Sequence, residues 1–119
     1  MEKEQYEALV KLCKKFAEYE SYKEEHFNED PRYIALMTRI ARADERDMHK
    51  YDEEYERLTR EIGTGERAEL LYRDLRKRFS HLIDEKHFNY DSLHKILTLI
   101  ELGKADTLER AIEMIDGIN

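Results

Sequence analysis

Between residues 34 and 62 one row of side chains advances by three and four residues in strict alternation. The row is Ile34, Met37, Ala41, Asp44, Met48, Tyr51, Tyr55, Leu58 and Ile62, and only Asp44 breaks its apolar character. That step pattern is the seam of a helix lying along a partner helix. The segment has clear ends. NEDP at 28–31 offers Asp30 as a cap and Pro31 for the first helical position, and GTG at 63–65 frees the backbone to turn. The spacing therefore predicts one helix over 31–62. Such a rod would span roughly 48 Å at about 1.5 Å per residue, too long to be buried without a companion.

A companion is available. Residues 2–27 carry Tyr6, Leu9, Cys13 and Phe16 on one stripe, widened by Val10 and Ala17 and weakened at Glu20 and Lys23 before Phe27. The short connection predicts that 2–27 and 31–62 form a long antiparallel helical hairpin. A third long helix is expected over 66–87, with Ala68, Leu71, Leu75, Phe79, Leu82 and Ile83 on one face. A short C-terminal helical hairpin is expected over 90–116. Asn89 or Asp91 would cap its first helix, whose face is Leu93, Ile96, Leu97 and Ile100, and Gly103 closes it. Asp106 would open its second, with Glu109 three residues on as in a capping box, and Leu108, Ala111, Ile112 and Ile115 as the stripe. The expectation is an all-α fold in a single helical-bundle domain spanning 1–119.

Composition fits this pattern. Charged residues make up 41% of the chain and hydrophobic residues 40%, the balance of helices with one apolar stripe and solvated flanks. The net charge of −7 disfavours phosphate backbones and anionic lipid surfaces, so nucleic acid is not an expected partner. No apolar run approaches the about 18 residues of a membrane span. The opening MEKEQYEALV lacks the features of a secretory leader, and Cys13 is the sole thiol. A soluble cytoplasmic protein is expected.

The stretch richest in chemical groups is DERDMHKYDEEY, 44–55, which sets His49 among six carboxylates. On a helix turning about 100° per residue, Glu45, His49, Asp52, Glu53 and Glu56 share a flank roughly 130° from the seam. A hydrated flank is poor ground for a shifted pKa or a dry metal site. Asp44, inside the seam, is expected to be a buried charge paired with Lys14 or Lys15. His49 with Glu53, and His81 with Glu85, have the four-residue spacing that puts two ligands on one helix face, as do His87 and Asp91. These are weak metal candidates, because the paired Glu-x-x-His motifs of di-metal bundles are missing. No catalytic or cofactor-binding set emerges, and no cofactor is expected. RDLRKRFSH, 73–81, is a basic cluster suited to an acidic partner or to the acidic first helix of a second copy. A DNA-reading helix-turn-helix fails at Leu99 and Glu109, and its last helix would carry Glu109, Glu113 and Asp116 against Arg110 alone. Eight tyrosines without tryptophan favour packing, with an exposed subset hinting at binding.

The tail LIELGKADTLERAIEMID, 99–116, carries Gly103, Ala105, Asp106, Thr107, Leu108 and Ala111 in a recurring arrangement. It resembles the tail of uncharacterised small helical proteins of Gram-positive bacteria. The resemblance implies a bacterial or phage origin and brings no activity with it. The expected function is non-enzymatic: a helical protein-protein interaction or regulatory module that self-associates as a homo-oligomer. Its expected interface is Met48, Tyr51, Tyr55, Leu58, Ile96, Ile100, Ile112 and Ile115. The alternative is a small-ligand or metal-binding helical bundle; a further one is an acidic inhibitor that mimics nucleic acid.

Overall fold

The computed structural model describes residues 1–117. Among them are six α-helices: α1 (Lys3–Phe27), α2 (Pro31–Arg42), α3 (Asp52–Ile62), α4 (Glu66–Phe79), α5 (Tyr90–Glu101) and α6 (Leu108–Ile115). Two stretches of 3-10 helix, Glu45–Tyr51 and Glu85–His87, complete the order, and no strand occurs among the described residues. The fold is all-α. Among the described residues no helix is long and apolar enough to cross a membrane.

The expected rod over 31–62 is broken. α2 stops at Arg42, Ala43 and Asp44 are extended, and the 3-10 stretch carries the chain to α3. The seam explains the break. Between Ile40 and Met48 its positions are held by Ala41 and Asp44, which bury little and cannot hold a continuous helix against a neighbour. Folding back gives each half of the segment a partner. Tyr33 and Leu36 of α2 share a core with Leu58 of α3 and with Phe27. Asp44 is correspondingly no buried charge. It is exposed, its carbonyl accepts the Asp47 N–H at 2.8 Å, and Lys15 pairs with Glu18 instead. The long hairpin of 2–27 with an unbroken 31–62 is replaced by α1, α2 and α3 in succession. The third helix is also shorter than 66–87, ending at Phe79. A turn follows, yet Ile83 still reaches the core at 1% exposure.

The chain divides into two units. The first combines Met1–Tyr19 with the chain from Leu71 onward; the second is Glu20–Leu70. In the first, Leu9, Leu12 and Phe16 of α1 share a core with Leu75 and Phe79 of α4, Leu93 and Ile96 of α5, and Leu108 and Ala111 of α6. Phe16 meets Tyr19, Tyr72 and Phe88 edge-on, with ring centroids 5.2, 6.3 and 5.4 Å away. α5 is capped by Asn89, whose side chain accepts the Ser92 N–H, and α6 by Thr107 rather than the expected Asp106. The turn between them closes at Gly103, which has a positive φ of 72°.

The second unit is held by its aromatic and aliphatic core and by two ion pairs across α2 and α3. Arg32 reaches Glu61 at 3.2 Å and Arg39 reaches Glu54 at 2.6 Å, which sets the two helices antiparallel. Tyr33, 1% exposed, donates its hydroxyl to the Glu24 carboxylate at 3.0 Å. Gly65 sits against His26: a Cβ there would lie 2.7 Å from the ring's Cγ.

A broken segment and a continuous rod differ in what two substitutions do. Leu36, 0% exposed, lies in the folded-back core. Leu36→Ala is expected to cost about 2–5 kcal/mol in urea denaturation. Asp44→Leu is expected to change stability by no more than about 0.5 kcal/mol, as for an ordinary surface position. A rod would instead gain markedly from an apolar residue in its seam.

Candidate functional site

Core packing in the first unit turns particular residues outward. On α1, Leu9, Leu12 and Phe16 point inward, so Val10, Cys13 and Ala17 fall on the neighbouring face. On α5, Leu93 and Ile96 are buried at 1% and 0% exposure, which leaves Tyr90, His94, Leu97 and Glu101 beside them at steps of four, three and four. The helices run antiparallel. The Tyr6 hydroxyl donates to Glu101 Oε1 at 3.1 Å, and seven residues further along α1 the Cys13 thiol faces the Leu93 carbonyl at 3.7 Å. Between the two outward faces lies a groove of about 360 Å³. Val10, Cys13 and Ala17 form one wall and Tyr90, Leu93 and Leu97 the other, with Lys14 and Glu101 also on its lining. On the far side of His94 a second groove, about 380 Å³, runs between Thr98 and Leu99 of α5 and Met114 and Ile115 of α6. Exposed His94 is thus a ridge between two apolar channels, and the Tyr90 ring stacks on it, 6.1 Å away and 4° from parallel.

The chemistry of these groups is quiet. Burial, followed by the nearby Glu101 carboxylate, pushes the Cys13 thiol up to about 11, so it stays protonated and is a poor nucleophile at neutral pH. The hydrogen bond to Glu101 likewise raises the Tyr6 phenol above its ordinary value.

A different arrangement surrounds His87, which is 5% exposed. Its Nδ1 lies 2.7 Å from Asp84 and its Nε2 lies 2.8 Å from Asp116, while the Lys86 ammonium stands 3.7 Å from the same Asp116. The bond to Asp116 raises the His87 pKa; burial opposes this and Asp84 adds to the rise. Asp116 is lowered in turn, chiefly by the bond from His87. The imidazolium also sits at the C-terminal end of α6, where the helix dipole favours a cation. With both ring nitrogens engaged, the group is a clamp between the Glu85–His87 turn and the end of α6. As placed, it has no lone pair left for proton abstraction or for a metal.

The residues singled out from the sequence are dispersed. His49 is 90% exposed and pairs with Asp52 at 3.3 Å, and Glu53, His81 and Glu85 are exposed. Among the described residues no three His, Cys, Asp or Glu side chains gather as metal ligands would. Of the expected interface, Ile96 is wholly inside the first core, and Ile100 and Ile112 are half-buried at its margin. Ile115 lines the second groove. In the second unit Leu58 is a core residue and Tyr51 packs on that core, whereas Met48 and Tyr55 are exposed at 45% and 36%. From the basic cluster, Arg76 leaves solvent to lie over the Phe88 ring, 4.8 Å from its centroid. The groove as a unit escaped sequence reasoning, although its signal is present: α1 and α5 each carry a second row beside the core row, Val10–Cys13–Ala17 and Tyr90–His94–Leu97.

No protein-family model, no curated protein and no solved structure matches the chain.

The clamp has a definite pH dependence. The folded pKa of His87 lies above the 6.5 of a free imidazole. Its stabilisation is therefore complete below pH 6.5 and is lost as the pH rises through the folded value. The unfolding free energy, measured by urea titration at a series of pH values, is expected to fall across that window. His87→Gln is expected to be less stable at low pH and to lack that decline.

Proposed function

We propose that the chain is a non-enzymatic helical protein-binding module that self-associates through the grooved face of α5. One observation carries the reading. In a chain with 41% charged residues, two apolar channels lie side by side on one helix, separated only by His94. A contiguous apolar surface of this kind is the usual mark of a protein contact, and helix-in-groove docking is a recurring way to fill it. Tyr90, 48% exposed, belongs to the same surface. Cys13 and His87 fit a binding module better than a catalyst: the thiol is held protonated and the imidazole is committed at both nitrogens. A reducing cytoplasm suits a lone thiol.

A second reading is favoured by the dimensions of the α1–α5 groove. About 360 Å³ falls within the range of small-molecule sites, and the stacked Tyr90 and His94 rings offer a platform for a flat apolar ligand.

Sedimentation or light scattering from low to high micromolar concentration separates the two. Self-association predicts a mass that rises toward an oligomer. Leu97→Glu, which places a charge in the groove, is expected to weaken it by about tenfold or more without loss of helix content. A concentration-independent monomer would overturn the proposal. A monomer whose melting temperature rises with apolar aromatic compounds would favour the ligand site instead.

A further inference from the structure

We infer that the α1–α5 groove closes on a second copy of this chain as a two-fold pair, with Lys14 of each copy meeting Glu101 of the other. The inference rests on the self-association proposed above and specifies its geometry.

The groove has a basic end and an acidic end. Because α1 and α5 run antiparallel, Glu101 lies beside Tyr6 near the start of α1, whereas Lys14 follows Cys13, which faces Leu93. The eight-residue step from Leu93 to Glu101 separates these levels by roughly 12 Å of helix. Between the ends the floor is apolar, and Cys13 and Ala17 are small enough to let another helix approach closely.

Neither end charge has an ionic partner among the described residues. Some other lysines of α1 and α5 are matched locally: Lys3 with Glu7, Lys15 with Glu18, Lys23 with Glu20 and Lys95 with Asp91. Among the described residues Lys14 has no ion pair. Glu101 is met there by the neutral Tyr6 hydroxyl and by no cation.

This polarity selects the occupant. An acidic helix would be attracted at Lys14 and repelled at Glu101, and a basic helix the reverse. A second copy turned by a two-fold axis perpendicular to the groove satisfies both ends at once. Its Glu101 falls on Lys14, its Lys14 on Glu101, and its apolar centre on the same apolar centre. A two-fold contact must be self-complementary in this way. A chain of net charge −7 repels its copies at long range, so a local match of opposite charges also fixes which faces meet.

Charge exchange tests the arrangement directly. Lys14→Glu puts an acid at both ends of the groove, and Glu101→Lys puts a base at both. Each variant alone is expected to dimerise about tenfold more weakly than the native chain, with unchanged circular dichroism. When the two are mixed, the introduced acid of one copy faces the introduced base of the other, and the native Glu101 of the first faces the native Lys14 of the second. A mixed dimer of near-native affinity is therefore expected by native mass spectrometry. The double variant Lys14→Glu/Glu101→Lys is expected to recover the homodimer. Lys77→Glu mixed with Glu109→Lys carries the same net charge changes outside the groove lining and is expected to show no preference for the mixed dimer. A native dimer without mixed-pair recovery would overturn this geometry and leave self-association standing. A native chain that stays monomeric would overturn both.

Discussion

The burial of Leu93 and Ile96 is the constraint on which the first unit depends. Both are almost wholly enclosed with Leu9, Leu12 and Phe16 of α1 and with Leu108 and Ala111 of α6. Fully burying an aliphatic side chain of this size is worth about 1.5–3 kcal/mol, enough to fix the rotation of a twelve-residue helix about its own axis. Once that rotation is fixed, helical geometry decides the rest. Tyr90, His94, Leu97 and Glu101 must face away from the core centre, and α1 must present Val10, Cys13 and Ala17 beside them. The grooves are therefore a consequence of where the core puts α5.

Polar contacts then hold the C-terminal hairpin in register. Asn89 and Thr107 cap the starts of α5 and α6. The end of α6 is tied by Asp116 to His87, a partner 29 residues away in sequence. Met114 and Ile115, which shape the second groove, lie immediately before that tie. A nearly buried histidine would be costly without partners; the bond to Asp116, with Asp84 adding to it, raises its pKa against the opposing effect of burial. The same contacts occupy both ring nitrogens.

Much of the architecture was legible in the residues. Asp30 with Pro31, Asn89, Gly63 and Gly103 mark helix boundaries close to where they fall, because each acts through its own backbone. The break at Ala43 and Asp44 was not legible from periodicity. Steps of three and four continue through it, and Met48, Tyr51 and Tyr55 keep the rhythm even though the backbone there leaves the α-helix. The informative signal was the weakness of Ala41 and Asp44 as seam residues. On α1 a related ambiguity hid Leu12. Two stripes lie side by side, and a single sequence does not say which faces the core; Cys13 belongs to the groove side and Leu12 to the interior. His87 shows the remaining limit. Its nearer partner, Asp84, is three residues away, but Asp116 is brought to it only by tertiary folding.

Nitrogen–proton NMR correlation spectra recorded across a dilution series probe the α5 surface residue by residue. Concentration-dependent shifts are predicted to concentrate at residues 10–17 and 90–101, with the amides of Glu20–Leu70 largely unmoved. Spectra that do not change on dilution, or shifts centred on Met48 and Tyr55 instead, would contradict the account.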